Sequence, residues 1–363
     1  MDDEVDTAVD VFGAAPDRDL LTTDRAGATP AQIGRYHVLA PIGRGGMADV
    51  YLCELRGPHG FRRQVAIKRL HPGLADDPDV ASRFVREATL AARLVHPAIC
   101  QVYELDEDDA GCFIVMEYLD GITLATALKE LARARWLFPM PIVLRLMRAL
   151  CAGLHAAHEL RDGDGAPLGV VHRDVTPSNI VLTSAGQVKL LDFGVAKTVQ
   201  MRTQIGVVRG KPGYMSPEQL ARRPLDRRSD VFSLGIILYE ALTISRLFPR
   251  TSLPDMIRTF AEAPPPDPRA HRPDLSDAVV AVVQRALARD RDQRYPSAAA
   301  LATALTDALA PATPAPSGWL AWLVATLRER QGEATSSWTS GAAVPGPRAI
   351  AEASTPPPVA TPS

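Results

Sequence analysis

The spacing of apolar residues changes once along the chain, near residue 120, and this change constrains the fold more than any other feature. Before it, residues 36–39, 50–53 and 63–68 form short runs with β-branched side chains, separated by turns, which is typical of antiparallel strands. One helix is predicted among them at residues 80–95, where apolar residues recur at steps of three and four. After residue 120 the helical spacing dominates, and residues 231–242 are almost all apolar, as in a helix buried on most sides. The sequence therefore predicts an α+β protein with a small β-rich lobe and a larger helical lobe.

Both ends of the sequence differ in composition from the middle. Residues 1–24 carry eight acidic residues and one basic residue, and residues 1–34 lack hydrophobic periodicity, so we expect a disordered acidic tail there. Proline, alanine, serine and threonine dominate residues 308–363, which predicts a second unpacked tail. The globular domain is accordingly predicted at residues 35–307, with an N-lobe that ends near residue 119 and a C-lobe after it.

One apolar segment interrupts the second tail at about residues 318–330, and it begins with Trp319. Ser317 is a typical N-cap residue, so we interpret this amphipathic segment as a short helix. Docking of the helix on the globular domain is the preferred interpretation, and attachment to a membrane surface or a partner is the alternative. The segment is too short to span a bilayer.

The composition argues against several classes of protein. The formal net charge is −2, which argues against a dedicated nucleic-acid-binding protein. The sequence has no apolar run of bilayer length, and its acidic start lacks the apolar region of a signal peptide, so we expect neither a transmembrane segment nor secretion. The four cysteines match no metal-binding spacing, and we interpret them as buried thiols of a cytoplasmic protein.

A glycine-rich loop and a lysine follow one another in the β-rich part. Gly43, Gly45 and Gly46 lie between two predicted strands, where glycine lets backbone N–H groups approach a phosphate, although a plain hairpin has similar glycines. Lys68 ends the next predicted strand, and we expect its ammonium group to lie beneath the loop. Glu87 lies in the following helix and is a candidate ion-pair partner of Lys68.

Three side chains that carry oxygen give the strongest chemical signal. Asp174 and Asn179 lie five residues apart on a predicted loop, and Asp192 follows a predicted strand. A carboxylate on such a loop can accept the proton of a hydroxyl group or orient that group. Mg²⁺ prefers oxygen ligands and keeps phosphate oxygens in its coordination shell, so we expect Asn179 and Asp192 to hold it against a nucleotide.

These motifs, in this order, resemble the protein kinase family, and within it the bacterial eukaryotic-like serine/threonine kinases. The resemblance covers residues 36–307 and includes residues 214–218, similar to the Ala-Pro-Glu motif, and Arg294, similar to the arginine that pairs with Glu218. It implies a two-lobed protein kinase-like fold and an enzyme of bacterial signalling that uses ATP with Mg²⁺ or Mn²⁺. The implied reaction is transfer of the γ-phosphoryl group of ATP to serine or threonine hydroxyls of protein substrates and of its own activation loop.

The resemblance also implies a role for each motif residue. Asp174 is expected to be the catalytic base, Lys68 to contact the α- and β-phosphates, and Glu87 to pair with Lys68. Asn179 and Asp192 are expected to hold the metal ion. The nucleotide is expected to contact the glycine loop, the strand of Lys68 and the hinge that begins at the gatekeeper, namely Ile42, Gly43, Arg44, Gly45, Gly46, Met47, Ala48, Val50, Ala66, Lys68, Met116, Glu117 and Leu119.

Two positions depart from the family pattern near the expected γ-phosphate. Most serine/threonine kinases have a lysine where this sequence has Thr176 and usually a threonine where it has Lys211. We interpret this as an exchange in which Lys211 returns an ammonium group to the γ-phosphate from the opposite wall, because a point charge suits phosphate. The alternative is that Lys211 faces solvent and the protein is a slow kinase or a pseudokinase, a nucleotide-binding scaffold that signals through partners. Ala48, at the third glycine position of the loop, is expected to be tolerated.

Control by phosphorylation is expected from the activation segment. Arg173 precedes the expected catalytic aspartate, and its charge calls for an anion when this segment is ordered. Thr198 and Thr203 are the candidate autophosphorylation sites, in a basic stretch at residues 197–228 that a solvated charged surface would also explain. His172 resembles a packing residue rather than a base.

Overall fold

The computed structural model describes residues 29–192, 212–248, 264–309 and 318–336, and it has a β-rich lobe followed by a helical lobe, as the sequence predicts. The strands are β1 (Gln32–Ile33), β2 (Tyr36–Arg44), β3 (Ala48–Arg56), β4 (Arg62–Leu70), β5 (Val102–Asp108), β6 (Gly111–Glu117), β7 (Gly121–Thr123), β8 (Ile180–Thr183) and β9 (Val188–Leu190). The helices are α1 (Pro72–Ala75), α2 (Pro78–Ala92), α3 (Leu124–Ala134), α4 (Met140–His158), α5 (Pro217–Leu220), α6 (Arg228–Thr243), α7 (Asp277–Ala286), α8 (Ala298–Leu309) and α9 (Trp319–Ser336).

The N-lobe is built on one antiparallel sheet with the strand order β1-β2-β3-β4-β6-β5, so β4 lies in its interior. Successive side chains of a strand point to opposite faces of the sheet. Val65 of β4 belongs to the apolar cluster of Phe113 on one face, whereas Ala66 belongs to the cluster of Phe84 and α2 on the other. Lys68 shares the face of Ala66 because it lies two residues further along β4, and it is therefore turned toward α2.

Helix α2 is positioned by its first turn and by its buried stripe. The Asp77 side chain accepts hydrogen bonds from the backbone N–H groups of Asp79 and Val80, and Pro78 occupies the first turn, where proline is well tolerated. Buried apolar residues three or four positions apart pack this helix against the sheet. This packing fixes the rotation of α2 and directs Glu87 toward β4.

Helix α6 forms the centre of the helical lobe. Its residues 229–243 are all buried, and α4, α7 and α8 pack against it, which confirms the position predicted from its apolar run. Two of its buried residues are acids, and one of them, Glu240, accepts a hydrogen bond from the Tyr214 hydroxyl at 2.7 Å. Burial raises the pKa of Glu240 to about 7.

Helix α4 is long and apolar enough to cross a membrane by length and composition, with a mean hydropathy of 1.3 in its most apolar window. Its apolar residues Leu146, Met147, Leu150 and Leu154 are buried in the core of the helical lobe instead. The apolar character of α4 is therefore that of a core helix.

A second antiparallel sheet, β7-β8-β9, is linked to the N-lobe by backbone hydrogen bonds. The N–H group of Leu190 donates to the carbonyl oxygen of Ala98 at 2.8 Å, and the Leu190 carbonyl accepts from the N–H group of Cys100 at 2.9 Å. These bonds join β9 to the segment that precedes β5. They hold Asp192, two residues after β9, between the two lobes.

The sheet begins earlier than the predicted domain boundary. Ile33 of β1 pairs with Tyr36 and is fully buried, so the prediction that residues 32–34 belong to a disordered tail is wrong. A strand of two residues is too short to show an alternation of apolar and polar side chains, which is the signal used for strands.

The four cysteines are free thiols. Cys53, Cys100 and Cys151 are buried, as predicted, whereas Cys112 is half-buried. Burial raises the pKa of Cys53 and of Cys100 to about 12, so both thiols stay neutral.

The apolar segment of the second predicted tail forms helix α9, which packs on the domain. Leu323, Val324 and Leu327 are fully buried, and α9 contacts α3, β7 and β8. Ser317, the predicted cap, lies outside the described residues, as do residues 1–28 and 337–363 of the two predicted tails.

Candidate active site

A cavity of about 410 Å³ lies between the N-lobe sheet and the second sheet. Its walls are mostly apolar, with Val50 and Ala66 from the N-lobe sheet and Leu190 from β9. Charged side chains converge at one place in it, from β4, from α2 and from the segment that follows β9. An apolar cavity with a few converging polar groups is typical of a binding site for a small molecule.

Lys68 forms ion pairs with two carboxylates in this cavity. Its Nζ atom lies 3.0 Å from Oε1 of Glu87 and 3.0 Å from Oδ1 of Asp192. Burial acts to lower the pKa of Lys68, but the two carboxylates outweigh it, and the pKa lies above its usual value. Lys68 is therefore a fixed cation at physiological pH.

The positions of these partners follow from the secondary structure. Lys68 pairs in register with Val50 of β3 and Ile114 of β6, so strands on both sides hold its backbone. Glu87 comes from α2, and Asp192 from the segment after β9. The predicted Lys68–Glu87 ion pair is thus present, and Asp192 joins it.

Asp174 and Asn179 are held together within one loop. The amide Nδ2 of Asn179 donates to Oδ2 of Asp174 at 2.7 Å and to the Asp174 carbonyl oxygen at 2.9 Å. The backbone carbonyl oxygen of Asn179 accepts a hydrogen bond from the backbone N–H group of Leu191 at 2.8 Å, which ties this loop to the segment that carries Asp192. Because the amide nitrogen is engaged, the amide oxygen of Asn179 is the atom left to bind a ligand.

The donor set of Asn179 and Asp192 fits a magnesium ion. Both supply oxygen, and the Asp192 side chain is 44% exposed, so a ligand can reach it. Among the described residues, no group of three or more His, Cys, Asp or Glu side chains forms a metal cluster. Proteins commonly bind Mg²⁺ through one or two side chains together with substrate phosphates, which agrees with this small donor set.

Asp230, in the first turn of α6, binds the backbone of the loop that carries Asp174. Its Oδ2 accepts from the backbone N–H group of His172 at 2.8 Å, and its Oδ1 accepts from that of Arg173 at 2.9 Å. His158 Nε2 lies 2.8 Å from the same carboxylate. Burial acts to raise the pKa of Asp230, but these partners outweigh it and hold the pKa below its usual value. A permanent buried anion therefore fixes the backbone just before Asp174.

His172 is a structural residue, as expected. It is fully buried, and its Nε2 lies 3.0 Å from the carbonyl oxygen of Leu191. Burial lowers its pKa, so the ring is neutral and has no contact with solvent. The residue beneath which it was expected to pack, Phe193, lies outside the described residues.

Arg294 pairs with Glu218, as the sequence analysis predicts. Its Nη1 and Nη2 atoms lie 2.7 and 2.9 Å from the two carboxylate oxygens, and both side chains are buried. Burial acts to raise the pKa of Glu218, but Arg294 and the Ser229 hydroxyl outweigh it and lower the pKa.

The residues expected to contact a nucleotide divide into two groups. Those that line the cavity are Ile42, Gly43, Val50, Ala66, Lys68, Met116, Glu117 and Leu119. Those that do not line it are Arg44, Gly45, Gly46, Met47 and Ala48. The second group forms the tip of the hairpin between β2 and β3, closed by a 3.0 Å hydrogen bond from the Gly45 N–H group to the Ala48 carbonyl.

Two charged features at the cavity are not indicated by the sequence motifs. Glu117, in the hinge, pairs with Lys189 of β9 at 2.8 Å. The sequence contains only five lysines, and this rarity is the one signal that could have drawn attention to Lys189. Arg328 of α9 also lines the cavity, although it lies beyond the predicted domain and no local pattern indicates it.

Lys211, Thr198 and Thr203 lie outside the described residues. Thr176, the other half of the proposed exchange, is described and is 3% exposed. It lies two residues after Asp174, at the start of the turn that carries Asn179.

Comparison with known proteins agrees with this geometry. The family model for the protein kinase domain matches residues 36–305. The chain is 43% identical over 295 residues to the tyrosine-protein kinase MasK of Myxococcus xanthus, covering 80% of this chain and 46% of that protein. It is 39% identical over 275 residues to the probable serine/threonine-protein kinase SCO3848 of Streptomyces coelicolor, covering 73% and 38%. It is 36% identical over 281 residues to the serine/threonine-protein kinase PknB of Mycobacterium tuberculosis, covering 75% and 42%.

The chain therefore spans less than half the length of these three relatives. Among solved structures, it resembles the PknI kinase domain of Mycobacterium tuberculosis, with a TM-score of 0.58 and 31% identity. That match covers 78% of this chain and 99% of the solved one. With the cleft, the ordered motifs and a family match over most of its length, this chain belongs to the protein kinase family.

Proposed function

We propose that the chain is an ATP-dependent protein kinase that transfers the γ-phosphoryl group to serine or threonine hydroxyls of proteins, itself included. The observation that carries this proposal is that Lys68, Glu87 and Asp192 meet in one cavity, and that a backbone hydrogen bond from Leu191 to Asn179 ties the Asp192 segment to the loop in which Asn179 holds Asp174. A pseudokinase that has lost catalysis would have no need to keep all of these groups. The relatives named as serine/threonine kinases support serine and threonine as the residues that accept the phosphoryl group.

In this proposal Lys68 binds the α- and β-phosphates of ATP, and Glu87 keeps its ammonium group in place. The hinge after Met116 binds the adenine, whose apolar surroundings are residues such as Val50 and Ala66. Asn179 and Asp192 would hold Mg²⁺ or Mn²⁺. When bound, the metal would neutralise charge that develops on the phosphates.

Asp174 is the proposed catalytic base. Its carboxylate is oriented by the Asn179 amide, and its backbone is fixed through Arg173 and Asp230, so it can accept a proton from a substrate hydroxyl without rearrangement. In phosphoryl transfer, positioning and charge supply most of the acceleration, which suits a loop held by this many hydrogen bonds.

Lys211 is proposed to replace the missing lysine near the γ-phosphate. Thr176, which stands where most serine/threonine kinases have that lysine, is buried and uncharged. An ammonium group from the opposite wall would restore a point charge at the transferred group.

Tyrosine is the second candidate for the accepting residue. It is favoured by one observation, the 43% identity to a protein named a tyrosine-protein kinase. The departure from the serine/threonine pattern at Thr176 is compatible with it.

We propose that the reaction takes place in the cytoplasm on protein substrates, in agreement with the free thiols.

The experiment incubates the purified full chain with γ-labelled ATP, Mg²⁺ and a generic protein acceptor, followed by acid hydrolysis and separation of phosphoamino acids. Label in phosphoserine or phosphothreonine supports the proposal. Label in phosphotyrosine supports the second candidate instead, and binding of ATP with no transfer supports a nucleotide-binding scaffold.

A further inference from the structure

We propose that Arg328, on the helix α9 that follows the kinase domain, is part of the nucleotide-binding site and binds the nucleoside end of ATP. The family match ends at residue 305, so this residue lies outside the part of the chain that the family pattern covers. It nevertheless lines the same cavity as Lys68 and Asp192.

Apolar packing fixes helix α9 against the domain. Leu323, Val324 and Leu327 are fully buried and belong to the main apolar cluster of the helical lobe. The ring of Trp319 lies 5.5 Å from that of Phe138, an ordinary distance for packed aromatic rings. The helix is thus a built part of the domain surface, and it presents Arg328 at a defined place.

An ion pair fixes the guanidinium group of Arg328 at the hinge. Its Nη2 atom lies 2.7 Å from Oδ1 of Asp120, and the Ser184 hydroxyl donates to Oδ2 of the same carboxylate at 2.6 Å. Arg328 and then Ser184 lower the pKa of Asp120, which stays charged. Asp120 lies between Leu119 and β7, so the pair connects α9 directly to the segment that joins the two lobes.

The register of the sheet places the hinge away from the expected phosphates. Lys68 pairs with Ile114 across β4 and β6, whereas Val65 pairs with Glu117, where the hinge begins. Three residues of a strand span about 10 Å. With the phosphates at Lys68, the sugar and base lie toward the hinge, and that is the end where Arg328 stands.

The chemistry of arginine suits this end of a nucleotide. A guanidinium group carries five N–H donors in a rigid plane, so a group held through one nitrogen can present the others to a ligand. Ribose hydroxyls and the edges of a purine offer acceptors. The pair with Asp120 reduces the rotamer freedom of Arg328, which lowers the entropic penalty of binding.

The test is titration calorimetry of the full chain with two ligands, ATP with Mg²⁺ and adenosine alone. For Arg328→Ala we expect the affinity for both ligands to fall by about the same factor, near tenfold, the usual value of one strong hydrogen bond. The matched control is Arg330→Ala on the same helix, because Arg330 stacks on Trp136 at 5.5 Å and does not line the cavity. We expect this control to stay within about twofold of wild type, a difference well below one strong hydrogen bond.

The inference rests on the proposed nucleotide site, and wild-type binding of ATP tests that site separately. If wild type binds and Arg328→Ala weakens ATP but not adenosine, the residue acts on the phosphates from a distance and the inference is wrong. Unchanged affinity for both ligands would reduce Arg328 to a docking contact and would also overturn it.

Discussion

Lys68 is the residue on which the charges of the cleft converge. Its two ion pairs are equally short, but its partners have different proposed tasks, since Asp192 would be used for a metal ion. Glu87 is then the acid that remains to hold Lys68. The ion pair with Glu87 therefore bears on nucleotide binding more than on folding.

Replacing Glu87 tests this division of tasks. Glu87→Gln keeps the size and a hydrogen bond but removes the charge, and we expect kcat/KM for ATP to fall at least about tenfold. The unfolding midpoint should change little. The control is Glu130→Gln, whose ion pair with Arg133 lies on α3 away from the cavity. Wild-type turnover by Glu87→Gln would show that Asp192 alone positions Lys68.

Substitutions at two residues also test the proposed exchange between Thr176 and Lys211. We expect Lys211→Ala to reduce turnover strongly, because the γ-phosphate loses its proposed cation, while the double substitution Thr176→Lys/Lys211→Thr recovers activity. Steady-state rates with saturating ATP measure both. Full activity of Lys211→Ala would make the compensation hypothesis wrong.

Helix α6 connects the stability of the fold with the position of the proposed catalytic loop. Its first turn supplies Asp230, which holds the backbone before Asp174, and its last turns supply the buried Glu240. The same central helix therefore carries one buried acid that stays ionised and one whose pKa is raised by burial.

The raised pKa of Glu240 predicts a pH dependence of stability. Burial raises the pKa of Glu240 from 4.5 to about 7, so the native carboxyl group binds its proton more tightly than the unfolded one. The resulting stabilisation is complete below about pH 4.5 and is lost as the pH rises through 7. Arg246 lies close enough to oppose the shift, and Tyr214 donates to the carboxyl group. Glu240→Gln should remove this loss, which is on the order of 3 kcal/mol.

Denaturant unfolding of both proteins between pH 5 and pH 8 measures the effect. The variant should gain stability relative to wild type as pH rises over this range. Parallel profiles would show that Glu240 does not titrate there in the native state.

Much of the candidate site is predictable from the motifs of the full sequence. Gly43, Lys68, Glu87 and Asp192 come from different strands, helices and loops, and motif order alone indicated that they meet. The order is informative because a phosphate, a metal ion and a hydroxyl each demand a particular side-chain chemistry. Asp174 and Asn179 were predictable for a local reason, since they lie five positions apart in one loop.

The remaining features depend on tertiary packing. Arg328 reaches the cavity because three buried side chains dock α9 beside the hinge, and a sequence pattern does not specify which surface a helix covers. Strand β1 escaped prediction because two residues carry no periodicity, although burial of Ile33 holds it in the sheet. The tip of the glycine loop, residues 44–48, was expected at the nucleotide, but the hairpin does not bring it to the cavity wall.

The proposed kinase is expected to bind ATP in this cleft and to use Asp174 to catalyse transfer of the γ-phosphoryl group to a protein hydroxyl. The most direct measurement compares wild type with Asp174→Asn for ATP affinity and for incorporation of γ-labelled phosphate into protein. We predict similar affinity in the two proteins and a loss of incorporation of at least about a hundredfold in the variant, as expected for a positioned base. Equal incorporation by the two proteins, or none by a wild-type protein that binds ATP, would rule out catalysis of phosphoryl transfer by Asp174.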